Sequence, residues 1–450
     1  MIKIKSFWDY VHSSLWFLPT LIVAFSVFLA IILIELQLYG SENEKGLIER
    51  TLLFGLGAQG ARIMLSTIAG SMMTIVGITF SMTIVTLALA SNQYTSRILR
   101  NFMRDRLTQF VIGFFAGVFT YCLIVLCTIR TSEEGEFIPN LAVFVAFLSA
   151  LGGIGVLIFF IHHIASSIQA SNILSSVTNE ILVAIDQIYP KELKNEITEN
   201  DEYITKLMAD ENWLPILANK TGYLQMIDII KLRQVARDQK IIVRMEHKIG
   251  EFVVKDTTLA SLAIDKVPDQ ETIKLIHSTF LFNAQRTMEQ DISFGIRQLV
   301  DIALKSLSLG INDTTTGVMC LNYLTAIMVQ LASRKFNSSY HYEEDKLRVI
   351  TQDRNFETLL NESFDQIREN SKDNIIIILK IIESLGIIAG QTKVPYRLDA
   401  LSKQIDYVSE MVKQNIMSHH NREQINTQIF YFHKLLKDHF SLSQNSKLKI

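Results

Sequence analysis

Ten histidines, three cysteines and 45 acidic residues could build a metal or acid–base site, so their spacing is the first test. His162 and His163 are adjacent, which points them to different sides of a helix. They cannot chelate one metal as a pair four residues apart could. They read instead as polar residues marking a membrane boundary, where ionisable groups are tolerated. The other histidines, including His419 and His420, are scattered. Cys122, Cys127 and Cys320 are too few and too badly spaced for a disulfide framework or a thiolate zinc site. The chain has no His-Glu-x-x-His, no phosphate-binding loop with its lysine, and no Gly-x-Ser-x-Gly turn. No catalytic, metal or cofactor set is therefore expected.

Two runs have the letters of a cofactor site without its setting. Gly55-Leu-Gly57-Ala-Gln-Gly60 matches a dinucleotide fingerprint, but it opens an apolar run and has Phe80 and Ser81 where the ribose-binding acid belongs. Gly250 to Leu259 resembles the turn of lipoyl-type barrels, yet the nearest lysine candidate, Lys266, follows the turn instead of preceding it. A structural hairpin is the better reading. Arg297 and Asp301 lie one helical turn apart on an apolar face, either as a functional charge pair or, preferably, as a partly buried bridge. In the Ser308–Thr314 joint, Gly310 is expected to close one helix and Asn312 or Asp313 to cap the next.

The hydroxyls are different, because many fall within one apolar run. At about 100° per residue, Thr67, Gly70, Ser71, Thr74, Gly77 and Ser81 share a face about 120° wide. Thr79, Thr83, Thr86 and Ala90 form a second stripe. Small and hydroxyl residues let helices pack closely in lipid, and they also line wet paths without full charge. One stripe for each role is the expectation. Arg97, Arg100 and Arg104 follow the run and would raise the local anion concentration at a pore mouth.

Positioning such residues requires membrane spans. Of 450 residues, 49% are hydrophobic and 20% charged, the mean hydropathy is +0.24, and the net charge is −2. Those values exclude a disordered chain and give no basic field for nucleic acid. Four apolar runs reach the roughly 20 residues that cross a bilayer. They are Leu15–Leu38, Ile63–Leu89, Phe110–Ile129 and Ile138–Ile161, within a membrane domain over 1–163. The first, with no small-residue cleavage pattern before Ser41, reads as a retained anchor. Arg97, Arg100, Arg104 and Arg106 make the connection after the second run the basic one, which places it and both termini in the cytoplasm. Gly113-x-x-x-Gly117 and Ser149-x-x-x-Gly153 are packing signals.

No later run approaches spanning length on this reading. Residues 164–212 read as an amphipathic helix, continuing the fourth span to about Tyr189, and a polar linker. Residues 213–266 read as a small β-rich domain of five short strands interrupted by a helix over Asp228–Asp238. Residues 267–450 read as an α-helical domain whose longest loop is Asn337–Asp345. The fold class is thus an α-helical multi-pass membrane protein with a cytoplasmic α+β part.

Three stretches together carry a family resemblance. They are Gly60–Ser71 with Leu99–Arg106, then Phe160–Gln169, and Arg286-Thr-x-x-Gln-Asp291 through Gly310-Ile-Asn-Asp313. The chain resembles the bacterial family of predicted integral membrane proteins called domain of unknown function 2254, over nearly its whole length. Where members often place prolines, this chain has Leu309 and Thr314. The resemblance implies a multi-pass protein of the bacterial cell (inner) membrane with a large cytoplasmic part, and implies no activity or site residues. Three functions stay open: a homo-oligomeric channel for a small ion, a non-conducting scaffold or sensor, and, weakest, a membrane-bound enzyme.

Overall fold

The computed structural model describes residues 16–39, 57–93, 105–130, 137–189, 212–263 and 268–447. These form two compact units, residues 1–172 and 173–450.

The first unit holds four long apolar helices: α1 (Phe17–Tyr39), α2 (Ala58–Gln93), α3 (Arg106–Thr128) and α4 (Asn140–Ser167). At 1.5 Å per residue, the 23-residue α1 and α3 are about 35 Å long, enough for roughly 30 Å of hydrocarbon. The 36-residue α2 exceeds that need by more than half. The centre of the unit is α3, which packs on α1, α2 and α4. Its Gly113 and Gly117 admit α1: a Cβ on Gly113 would lie 2.8 Å from the Pro19 backbone, and one on Gly117 2.5 Å from Ser26 Oγ. Gly153 of α4 meets the Phe115 ring in the same way, at 3.3 Å. With hydrocarbon outside, close backbone approach replaces the hydrophobic effect as the packing force.

Polar clamps fasten one end of this bundle. Gln37 of α1 donates to Ile138 O (3.2 Å) and accepts from Leu141 N at the start of α4 (3.2 Å). Arg62 of α2 donates to Ile129 O at the end of α3 (2.8 Å), where an unpaired helix carbonyl needs a donor. Successive helices therefore run in opposite directions.

The second unit begins within α5 (Ala170–Ile188), which a break at Ile168–Gln169 separates from α4. The single continuous helix expected from His162 to Tyr189 is thus two. Two antiparallel-rich sheets follow. The larger has the order β1 (Trp213–Leu217), β5 (Thr258–Ala263), β3 (Ile242–Met245), β8 (Lys346–Ile350), β7 (Tyr340–Glu343), with β3 and β8 parallel. The smaller is β4 (Phe252–Val253), β2 (Gly222–Ile227), β6 (Phe280–Asn283). Helix α6 (Ile229–Asp238), capped by Asp228 on Lys231 N at 3.1 Å, and α7 (Gln270–His277) complete this part. Leu224, Leu232, Val243, Leu262, Ile276 and Val349 are its fully buried centre.

Two sequence expectations change here. The β-rich part does not end at 266, because β6, β7 and β8 come from beyond it, and Asn337–Asp345 contains β7. Gly250–Leu259 is no hairpin either: β4 pairs with β2 while β5 pairs with β1 and β3.

The helical layer contains α8 (Ile292–Ser306), α9 (Thr314–Ala332), α10 (Phe356–Asn370), α11 (Ile375–Ala389), α12 (Pro395–Asn415) and α13 (His419–Lys447). The apolar α11 sits among α9, α10, α12 and α13 and buries Ile377, Ile378, Ile381, Leu385 and Ile388 completely. By length and composition α9 is a fifth helix able to cross a membrane, one more than the sequence reading counted. Asn322, Tyr323 and Gln330 interrupt its apolar run, which hid it. Arg397 of α12 is fully buried and donates to the carbonyls of Ala332 (2.8 Å) and Arg334 (2.9 Å), at the negative end of α9.

Candidate functional site

In the membrane unit, α2 carries its hydroxyls on two opposite sides. The side packed against α3 and α4 holds Leu65, Ala69, Met72, Thr79 and Thr86, all buried. Thr83 on the same stripe is half-buried. Thr67, Gly70, Ser71, Thr74, Gly77 and Ser81 are exposed, facing away from the bundle, and Gly70 and Gly77 have no atom within 4 Å of where a Cβ would stand. Thr67 donates to Ile63 O (2.8 Å) and Thr74 to Gly70 O (3.0 Å), so their protons are satisfied within the helix. Thr79, Thr83 and Thr86 do the same on the buried side. What the open face offers outward is oxygen lone pairs and two gaps. Arg97, Arg100 and Arg104 lie outside the described residues.

His162 and His163 part company. His162 is exposed, while His163 Nε2 lies 2.8 Å from Asp105 Oδ2. Asp105 also caps α3, accepting from Leu107 N, Thr108 N and Thr108 Oγ1. Burial raises the Asp105 pKa, but the bonds from Thr108 and His163 outweigh burial and hold it below its usual value. One acid of the basic loop therefore couples the start of α3 to the end of α4, a role its sequence position alone does not signal.

In the second unit, Arg297 Nε pairs with Asp301 Oδ1 (2.7 Å) and its Nη1 donates to Gln366 Oε1 on α10 (2.7 Å). At the joint, α8 ends at Ser306 before reaching Gly310, and the left-handed residue is Asn312, at φ 50°. Asp313 caps α9, accepting from Thr316 N (3.0 Å) and Thr316 Oγ1 (2.6 Å).

The Arg286–Asp291 string gathers beside a cavity of about 330 Å3 lined by both charged and aliphatic side chains. Asp291, 2% exposed, accepts from Arg286 Nε (2.7 Å) and Nη2 (3.0 Å), and Arg354 Nη1 approaches to 3.6 Å. Gly250 passes directly over this carboxylate at φ +88°; a Cβ there would stand 2.1 Å from Asp291 Oδ2. Only glycine fits both the angle and the approach. Gln290 Oε1 accepts from Ile227 N (3.1 Å), tying the string to β2. Arg354 donates from Nη1 to Ile249 O (2.8 Å) and from Nε to Glu362 (3.2 Å).

Tyr189, at the end of α5, lines the cavity with its ring 4.7 Å from that of Phe336. Burial pushes its phenol pKa up, Asp353 adds to that, and Arg354 opposes it. Among the described residues no group of three or more His, Cys, Asp or Glu could hold a metal. The arrangement can bind and orient a polar molecule.

A family model described as a predicted membrane protein, DUF2254, matches residues 12–386. Uncharacterized proteins of Mycobacterium bovis and Mycobacterium tuberculosis are 29% identical to the chain over 431 residues, covering 94% of it and 80% of each relative. No solved structure matches the chain.

Proposed function

The chain belongs to the DUF2254 family of predicted bacterial membrane proteins, and from that premise we propose that it is a homo-oligomeric channel for a small ion. In this reading α1 to α4 are the only spans, both termini and the second unit are cytoplasmic, and the open face of α2 borders the aqueous path. The orientation rests on the basic loop from Arg97 to Arg106. Excluding α9 rests on burial: more than half of it lies inside its own unit, against 17% of the corresponding stretch of α2.

One observation carries the conduction reading. The hydroxyl face of α2 is turned away from its own bundle, so lipid, water or a second copy must meet it. Lipid alone gains nothing from six small or hydroxyl residues in register, whereas copies packed through Gly70 and Gly77 would enclose them. The arginines after α2 favour an anion. The cavity of the second unit supports the second reading, a membrane-anchored sensor that conducts nothing.

Cysteines placed singly along Thr67–Thr86, in a chain whose Cys122, Cys127 and Cys320 are replaced, separate the two. A wet path labels positions 67, 71, 74 and 81 with a water-soluble thiol reagent and leaves 79 and 86 protected. Thr74→Leu then stops flux in liposomes while the oligomer persists. Protection of the whole open face, in a protein that passes no ion, ends the channel reading and leaves the sensor.

A further inference from the structure

The charges around the cavity do not all cancel within the protein. Arg286 and Arg354 are matched by Asp291 and Glu362, and His247 Nδ1 lies 3.1 Å from Glu251. Three charged lining groups remain. Lys248 makes no side-chain ion pair among the described residues, and its neighbour Ile249 holds the Arg354 guanidinium. Asp353, an exposed residue, receives a hydroxyl bond from Thr351 (2.7 Å) and has no cation within ion-pair distance among the described residues. Glu289 stands exposed at the rim. The walls between them are aliphatic: Ile227, Ile229, Ile249, Ile292 and Leu359.

We propose that this cavity binds a free α-amino acid with an apolar side chain, its carboxylate held by Lys248 and its ammonium by Asp353. An inorganic anion would answer Lys248 but face the uncompensated Asp353. A polyamine would answer the acids but leave Lys248 unanswered. A zwitterion satisfies both signs, and charge-assisted bonds of this kind are the strong ones. The volume, about 330 Å3, lies at the lower end of the roughly 300–1,000 Å3 of metabolite pockets. It holds one amino acid with some water. The aliphatic walls would take the side chain. Tyr189 also lines the cavity.

The test reads binding without flux, so its outcome is independent of conduction. The purified full chain in detergent is heated with 10 mM leucine, isoleucine, valine, methionine or phenylalanine, and binding is confirmed by equilibrium dialysis with the radiolabelled amino acid. The expected result is a rise in melting temperature of at least about 2 °C with one or more of them. For leucine the matched controls are 4-methylpentanoate, which lacks the ammonium, and 3-methylbutylamine, which lacks the carboxylate; both should bind at least about tenfold more weakly. Lys248→Met and Asp353→Asn should each weaken binding by a similar factor. Asn keeps the acceptor for Thr351, and Lys248 holds no structural partner, so the unliganded chain should melt as before. The proposal is overturned if no amino acid of the set binds, if either singly charged analogue binds as well, or if binding survives both substitutions. Should one variant fail to fold, the analogues still decide.

Discussion

Helices α2 and α9 are both long and apolar enough to cross a membrane, yet they differ sharply in how much of their surface the described residues cover. On α2, Ile78, Phe80, Ile84 and Val85 are each half or more exposed, so this side of the helix is left uncovered by the described residues. On α9, Leu321, Leu324, Ile327 and Met328 are wholly buried, and what it leaves exposed includes Asn322. A span would press that amide against hydrocarbon, while a core helix keeps it in water. Hydropathy reports how apolar a helix is. The side on which its polar residues lie reports which solvent it expects.

The strongest way to break this comparison is to remove the membrane unit. A chain starting at Gln169 should stay in the supernatant without detergent and show mixed α/β circular dichroism. If it partitions into membranes, α9 behaves as a span and the contrast fails. A graded effect comes from matched truncations. Leu324→Ala removes a fully buried side chain from α9 and should cost about 2–5 kcal/mol in urea unfolding of that fragment, which includes the cavity term. Ile78→Ala on the exposed side of α2 should leave thermal stability of the full chain within about 1 kcal/mol in detergent. Equal losses would mean that both helices are buried in protein.

How much of this could be read from the sequence depends on how far apart the interacting residues are. The four long helices of the first unit and strands β1 to β5 are local patterns, and each forms over residues within a few positions of the apolar runs that announce it. Strands β6 and β8 were not legible because their partners, β2 and β3, are more than 50 residues earlier, and β7 enters the sheet only through β8. The polarity of β7 has a reason too: it is the edge of the larger sheet, where charged and polar side chains discourage further pairing. The two faces of α2 followed from helical period alone, but which face would meet α3 did not. Arg286, Gln290 and Asp291 could be quoted as a family string, whereas Tyr189 and Arg354 had no spacing to mark them. They reach the cavity from α5 and from the segment after β8, brought by tertiary folding. The small demand for glycine at 250 was legible as a turn; its reason, the carboxylate of Asp291 beneath, was not.

The smallest expected effect concerns how α9 begins. Asp313 caps it as an aqueous helix is capped, through Thr316 N and Thr316 Oγ1, and those bonds hold the carboxyl below its ordinary value. Because the folded pKa is lowered, the contribution is fully present above the unfolded value of about 3.9 and is lost as pH falls through the folded value. Asp313→Ala should therefore cost about 1 kcal/mol at pH 7, a drop of roughly 2–4 °C in melting temperature for a domain of this size. The difference between the variant and the natural chain should shrink as the pH is taken below 4. Asp313→Asn should behave differently, since its amide oxygen still accepts from Thr316 N while its NH2 cannot accept from the hydroxyl. It should lose less stability than alanine, and acid should not erase the remainder, because the amide does not titrate. If alanine and asparagine melt alike at pH 7, the cap contributes nothing, and the start of α9 is set by its packing against α8 and α11 alone.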